Sequence, residues 1–147
     1  MNYIPVQDRR SRMDRRKLYL QLLFFTSLIA TIGSLYFSEV RQYVPCEFCW
    51  YQRILMYPIV VISLIALIRQ DFGAKYYIRA LSILGILMGG YHYALQKVSF
   101  IGDGMAACEG VSCTVQYINW SGFITIPFLS FIAFTIILIL TFLIKKD

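Results

Sequence analysis

Four cysteines stand in two close pairs, Cys46-Glu47-Phe48-Cys49 and Cys108-Glu109-Gly110-Val111-Ser112-Cys113. Paired thiols can staple a loop, hold a soft metal ion or pass electrons by dithiol–disulfide exchange. As staples, each pair closes only a very short loop and restricts the unfolded chain little. As four thiolates they would make a tetrahedral zinc site. No other ligand cluster accompanies them, and an oxidising compartment competes for thiols, so no metal centre is expected. As a redox device the Cys-x-x-Cys spacing is apt, because thiols in that arrangement readily have a lowered pKa. Arg53 follows Cys49 by four residues, which on a helix puts a permanent cation on the same face one turn away. The same spacing separates His92, the single histidine, from Gln96.

The elements that must position these groups are apolar. The chain has 147 residues, 59% of them hydrophobic and 15% charged. A soluble domain carries about 25% charged residues, and a core of this size cannot hide so much apolar surface. Intrinsic disorder is excluded by the same composition. Four apolar runs occur at about 18–37, 50–68, 76–95 and 123–144. Each approaches the roughly 20 residues that cross a bilayer as a helix. The runs lack the alternation of a transmembrane β-barrel. The expected fold is all-α, an integral-membrane four-helix bundle forming one domain over 1–147.

Charge placement orients it. Arg9, Arg10, Arg12, Arg15, Arg16 and Lys17 precede the first run. Arg69, Lys75 and Arg79 flank the turn between the second and third, and Lys145 and Lys146 close the chain. The other side holds only Arg41, Arg53 and Lys97. The positive-inside rule then predicts both termini in the cytoplasm and two outer loops, about 38–49 and 96–122. The basic arm is read as this topological flank, and no nucleic-acid partner is expected. The first run is too long, and lacks the small-residue cleavage site, for a removable signal peptide. Trp50, Tyr51, Tyr76, Tyr77, Tyr91, Tyr93 and Trp120 fall where interfacial rings anchor. Gly85 and Gly89 form a small-xxx-small pair suited to close helix packing. Pro58 and Pro127 are expected to kink their helices. Asn119-Trp120-Ser121 matches a glycosylation acceptor but abuts the fourth span, and is read as chance.

All four cysteines thus lie on the outer side, where disulfides persist. Cys49 falls at the N-terminal end of the second span, where helix N–H groups favour a thiolate. Arg53 either snorkels to the interface or serves that thiolate from within the apolar layer. The third span finishes on the same side, so His92 and Gln96 can approach Cys49 and Arg53. A thiolate, a cation and an imidazole at a membrane edge suit a lipid-soluble electron acceptor such as a quinone. Arg53, with His92 or Gln96, would bond to its oxygens.

In Pro45-Cys46-Glu47-Phe48-Cys49-Trp50-Tyr51-Gln52-Arg53, in His92-Tyr93-Ala94-Leu95-Gln96 and in Cys108/Cys113, the chain resembles the DsbB/BdbC family of quinone-dependent disulfide-bond-forming membrane proteins. The Cys-x4-Cys spacing of the second pair is that of the compact, BdbC-like branch. The resemblance spans about residues 15–145. It implies a multi-pass protein of the bacterial plasma (inner) membrane, active on the extracytoplasmic side. It implies electron flow from a thioredoxin-like thiol oxidase (DsbA/BdbD-like) through Cys108/Cys113 and then Cys46/Cys49 to menaquinone or ubiquinone. Cys108 would form the mixed disulfide with that partner, and Cys113 would resolve it. Cys46 would exchange with the second pair. Cys49 would be the quinone-proximal thiolate and Arg53 its partner, with His92 and Gln96 lining the quinone site. The competing reading is a four-span scaffold or transporter whose cysteines are structural. A vitamin-K-epoxide-reductase-like protein shares the quinone logic, but its redox motif sits late in the chain.

Overall fold

A computed structural model describes residues 6–97, 121–122 and 124–144. Cys108, Cys113 and Trp120 lie outside the described residues, as does most of the second predicted loop.

Helix α1 spans Val6–Leu35 and runs into a π-helical turn, Tyr36–Val40. It starts well before the apolar run, because its polar first turns need no lipid: Arg12 pairs with Asp8 at 2.8 Å, one turn apart on the exposed surface. Helix α2 spans Glu47–Arg69. Pro45 precedes it, and the extended backbone of Cys46 caps it, its carbonyl accepting from Trp50 N–H at 3.1 Å. It ends at Gln70, whose left-handed backbone (φ 55°) terminates the helix as its N–H reaches the Ala66 carbonyl. The Asp71 carboxylate then accepts from Gly73 N–H at 2.8 Å. That turn leads through the 3-10 segment Phe72–Ala74 into helix α3, Lys75–Lys97. Helix α4 spans Ile126–Leu143.

Of the two prolines expected to kink their helices, Pro127 behaves differently. Helix α2 continues unbroken past Pro58. Pro127 sits in the first turn of α4, where its missing N–H would have no helical partner anyway, so it starts the helix and does not bend it.

Each helix packs on its neighbours in a ring, α1 on α2, α2 on α3, α3 on α4 and α4 on α1. The most extensive seam, α3 on α4, runs through the glycine pair. A Cβ on Gly85 would collide with the Phe134 ring, and one on Gly89 would lie 3.4 Å from the Phe131 Cα. The small residues therefore admit the facing aromatic and backbone. Leu23, Met56, Ile59, Ile78, Phe134 and Ile137 fill the centre. The buried hydroxyls of Ser63 and Ser82 stay satisfied on their own helices: Ser63 donates to the Val60 carbonyl at 3.0 Å and Ser82 to the Ile78 carbonyl at 2.8 Å.

The outer faces are apolar as well. Leu22, Phe25, Ile29 and Ile32 on α1, and Ile54, Val61, Ile65 and Ile68 on α2, are exposed. All four helices are long and apolar enough to cross a membrane. The fold is thus nearly all helical, with inward and outward faces both greasy, as expected of helices that meet lipid rather than water.

Candidate functional site

The helical start of α2 places the chemistry at one end of the bundle. Cys46, at the cap, is buried, and Cys49, one turn on, is half-buried. Both are free thiols, their sulfurs 3.3 Å apart and joined by a hydrogen bond. Closing a disulfide at about 2.05 Å needs only a small rotation of either side chain.

His92 meets this pair from α3. It is 1% exposed, and its Nε2 lies 3.6 Å from the Cys46 sulfur. Its Nδ1 lies 3.3 Å from the side-chain amide of Gln52, itself buried. The Phe48 ring leans on the imidazole, centroids 5.6 Å apart. The ring is therefore held on three sides. The Cys46 thiol is held well below its ordinary range, first by its hydrogen bond with Cys49 and then, against the opposing effect of burial, by His92. Of the two sulfurs, Cys46 is the one these contacts favour as thiolate. The sequence pointed to Cys49 for that role from its position on the helix. The imidazole stands beside the cap residue, its Nε2 3.6 Å from the Cys46 sulfur.

Arg53 is held within the bundle. It is 8% exposed, and its Nε donates to the Ser34 hydroxyl and its Nη2 to the Ser34 carbonyl, both at 2.8 Å. Its guanidinium also lies over the Trp50 ring, 5.4 Å from the centroid. These contacts tie the loosening end of α1 to α2 and hold the cation rigidly one turn from Cys49.

A cleft of about 210 Å³ opens between α1, α2 and α4 beside these residues. Cys49, Gln52 and Arg53 form one wall, with Met56 and Tyr57 behind them. Ala30, Thr31 and Ser34 of α1, Phe37 of the π-helical turn, and Ile126, Leu129 and Ala133 of α4 also line it. The π-helical turn shapes its rim: Phe37 stacks on Tyr43 with rings 6.2 Å apart and nearly parallel at 8°. The Thr31 hydroxyl is buried, with no hydrogen-bond partner among the described residues.

Of the residues singled out from sequence, the structure brings Cys46, Cys49, Arg53 and His92 to one end of the bundle. Cys49 and Arg53 face the cleft. His92 does not line it; it lies on the Cys46 side. Gln96, a turn beyond His92 and half-buried, does not line it either. Gln52, Ser34 and Thr31 were not singled out as site residues. Gln52 carried a signal, being an amide in the first turn of an apolar helix. Ser34 and Thr31 carried none, since small hydroxyl residues are common in membrane helices.

A close dithiol with a hydrogen-bonded imidazole, at the end of a bundle fit for lipid, defines a membrane thiol–disulfide protein. Comparison with known proteins agrees. Residues 16–144 match the family described as Disulfide bond formation protein DsbB. The chain is 50% identical over 124 residues to the "Probable disulfide formation protein C" of Halalkalibacterium halodurans, covering 84% of this chain and 90% of that one. It is 48% identical over 135 residues to the "Disulfide bond formation protein C" of Bacillus subtilis, covering 92% and 98%. A prophage-derived "disulfide bond formation protein B" of Bacillus subtilis is 39% identical over 123 residues, covering 82% and 81%. No solved structure matches the chain. The chain belongs to the DsbB family of disulfide bond formation proteins, which makes it a multi-pass membrane thiol oxidoreductase.

Proposed function

We propose that this protein reoxidises a thioredoxin-like extracytoplasmic thiol oxidase and delivers the electrons to a membrane quinone, so supporting disulfide formation in exported proteins. The observation that carries this reading is the cleft shared by Cys49 and Arg53. Its walls are apolar and suit a ring, and its donors suit carbonyl oxygens. Arg53 spends Nε and Nη2 on Ser34, which leaves Nη1 without a hydrogen bond among the described residues. The buried Thr31 hydroxyl is a second uncommitted donor. The residues present therefore fit a quinone, with Arg53 and Thr31 as the groups that would hold it. When bound, a quinone supplies a sink for two electrons and two protons.

The chain's own residues supply the thiol chemistry. Cys49 faces the cleft and is the sulfur from which electrons leave. Cys46, kept ionised by its hydrogen bonds, is the nucleophile that closes the Cys46–Cys49 disulfide as Cys49 is oxidised. His92 holds Cys46 in place, and Gln52 fixes the imidazole's orientation. The Cys46–Cys49 disulfide then oxidises Cys108/Cys113 by thiol–disulfide exchange, and that pair oxidises the partner's dithiol through a mixed disulfide at Cys108. Two electrons enter and two leave per cycle. Arg53 acts twice, as a counter-charge near the dithiol and as a donor in the cleft.

In this reading the single four-span domain sits in the bacterial plasma membrane with both termini in the cytoplasm, as the distribution of Lys and Arg favours. The test is purified protein with ubiquinone-1 or a short-chain menaquinone and a reduced DsbA-like partner, following quinone absorbance. Loss of that absorbance in step with partner oxidation, abolished by Cys49→Ser, is expected. Thiol exchange with the partner that leaves quinone absorbance unchanged would overturn the reading.

A further inference from the structure

We propose that the reduced Cys46/Cys49 pair and His92 form a three-ligand site for a soft divalent cation of the zinc type. The two sulfurs and a ring nitrogen of His92 all lie within 4.8 Å of one another. The sulfurs are 3.3 Å apart, and the Cys46 sulfur is 3.6 Å from Nε2. Tetrahedral zinc, with Zn–S of about 2.3 Å and Zn–N of about 2.0–2.1 Å, asks for sulfurs about 3.8 Å apart and S···N of about 3.5 Å. The thiols must part by about half an ångström, the imidazole already stands at the required spacing from Cys46, and Cys49 closes on it from within 4.8 Å. Two thiolates and one imidazole are a soft donor set, and they leave a fourth position for water.

The surroundings suit a metal-binding histidine. Such a ring donates its other N–H to a fixed partner, which orients it. Gln52 stands at Nδ1. With its amide turned so that the oxygen faces Nδ1–H, the Nε2 lone pair points at the sulfurs; the heavy-atom positions serve either orientation. On binding, two S–metal bonds and one N–metal bond form. Each thiol still protonated releases its proton to water, and nothing is oxidised or reduced.

The site exists in only one redox state, because a disulfide offers no thiolate. A bound cation therefore holds the pair reduced. It raises the potential of the Cys46/Cys49 couple by about 30 mV for each tenfold of free cation above its dissociation constant. It also prevents Cys46 from closing on Cys49, so the cation is an inhibitor that acts on the reduced protein alone. The inference rests on ligand geometry and does not depend on which oxidant the protein uses.

The probe is cobalt(II), whose bonds to thiolate absorb in the near ultraviolet, added to the reduced full-length chain in detergent. Cys108→Ser and Cys113→Ser remove the other thiols. One cobalt per chain with thiolate-to-cobalt absorption is expected, displaced by zinc and absent once Cys46 and Cys49 are oxidised. Affinity should fall at least tenfold in His92→Ala and by a smaller factor in Gln52→Leu, which keeps all three ligands. Cobalt binding that is the same in the oxidised protein, or unchanged by His92→Ala in a variant with normal helical circular dichroism, overturns the proposal, as does the absence of the absorption. Quinone reduction is measured separately without metal. Intact quinone reduction with no cobalt absorption overturns this site alone, whereas cobalt bound as described in a protein inert toward quinone supports it and overturns the proposed function.

Discussion

Both ends of the bundle bury cations, and they use them differently. At the end away from Cys46 and Cys49, Lys75, 5% exposed, donates to the Ile144 carbonyl at 2.7 Å. Arg79 donates to the Thr141 carbonyl at 3.1 Å and lies 4.1 Å from the Phe142 ring centroid. These cations cap the carbonyl end of α4, where the helix dipole is negative. Among the described residues no thiol or imidazole stands beside them. At the other end Arg53 is held as firmly, by Ser34, but beside a dithiol and a cleft. A buried charge in a membrane helix is therefore not by itself a sign of chemistry. The reactive neighbour and the open space beside it make the difference.

If that contrast is right, substitutions at the two ends should separate activity from stability. Cys49→Ser should lower dithiol oxidation about 1000-fold or more, equivalent to about 4 kcal/mol, with an unchanged melting temperature. Residual turnover within tenfold of the parent would break the comparison at once. In the middle of the bundle, Gly85→Ala forces a methyl into the Phe134 ring and should cost about 1–3 kcal/mol of stability. Its rate per folded molecule should stay at the parent level. Next comes Ser34→Ala, which frees the Arg53 guanidinium without touching either sulfur. A loss of roughly tenfold in kcat/KM, about 1.4 kcal/mol, is expected, carried by KM for the electron acceptor. A change only in melting temperature would make Ser34 a structural residue like those at the far end. Lys75→Met removes one helix cap and should cost about 1 kcal/mol of stability, with kcat/KM unaltered.

The smallest effect is a pH profile. A thiol whose pKa is lowered stays ionised until the pH falls through that lower value. Alkylation of Cys46 in the reduced chain should therefore stay fast below neutral pH. His92→Ala removes one of its hydrogen-bond partners, so the fall in rate should move to higher pH. A profile that does not move would show that Cys49 alone sets the charge on Cys46.

Much of the architecture was legible before any coordinates. Runs of about 20 apolar residues leave little choice but helix, since lipid offers the backbone no partners. The placement of Cys49 and Arg53 one turn apart follows from the period of the helix, and Gly85 and Gly89 announced a close seam that α4 then filled. The same local logic misread Pro127, because helix boundaries depend on where neighbours begin to pack.

What sequence spacing determined, then, were relations within one helix: which residues share a face, and at which end of a span they sit. The relations between helices belonged to the tertiary structure. Only the rotation of α3 about its own axis decides that His92 meets Cys46 and Gln52 while the cleft opens on the far side of α2, toward α1 and α4. Only the approach of α1 decides that Ser34 anchors Arg53. Nearly uniform greasiness is the physical reason. A helix apolar on every side carries little signal of which side faces protein and which faces lipid, and shape complementarity between packed side chains settles the choice.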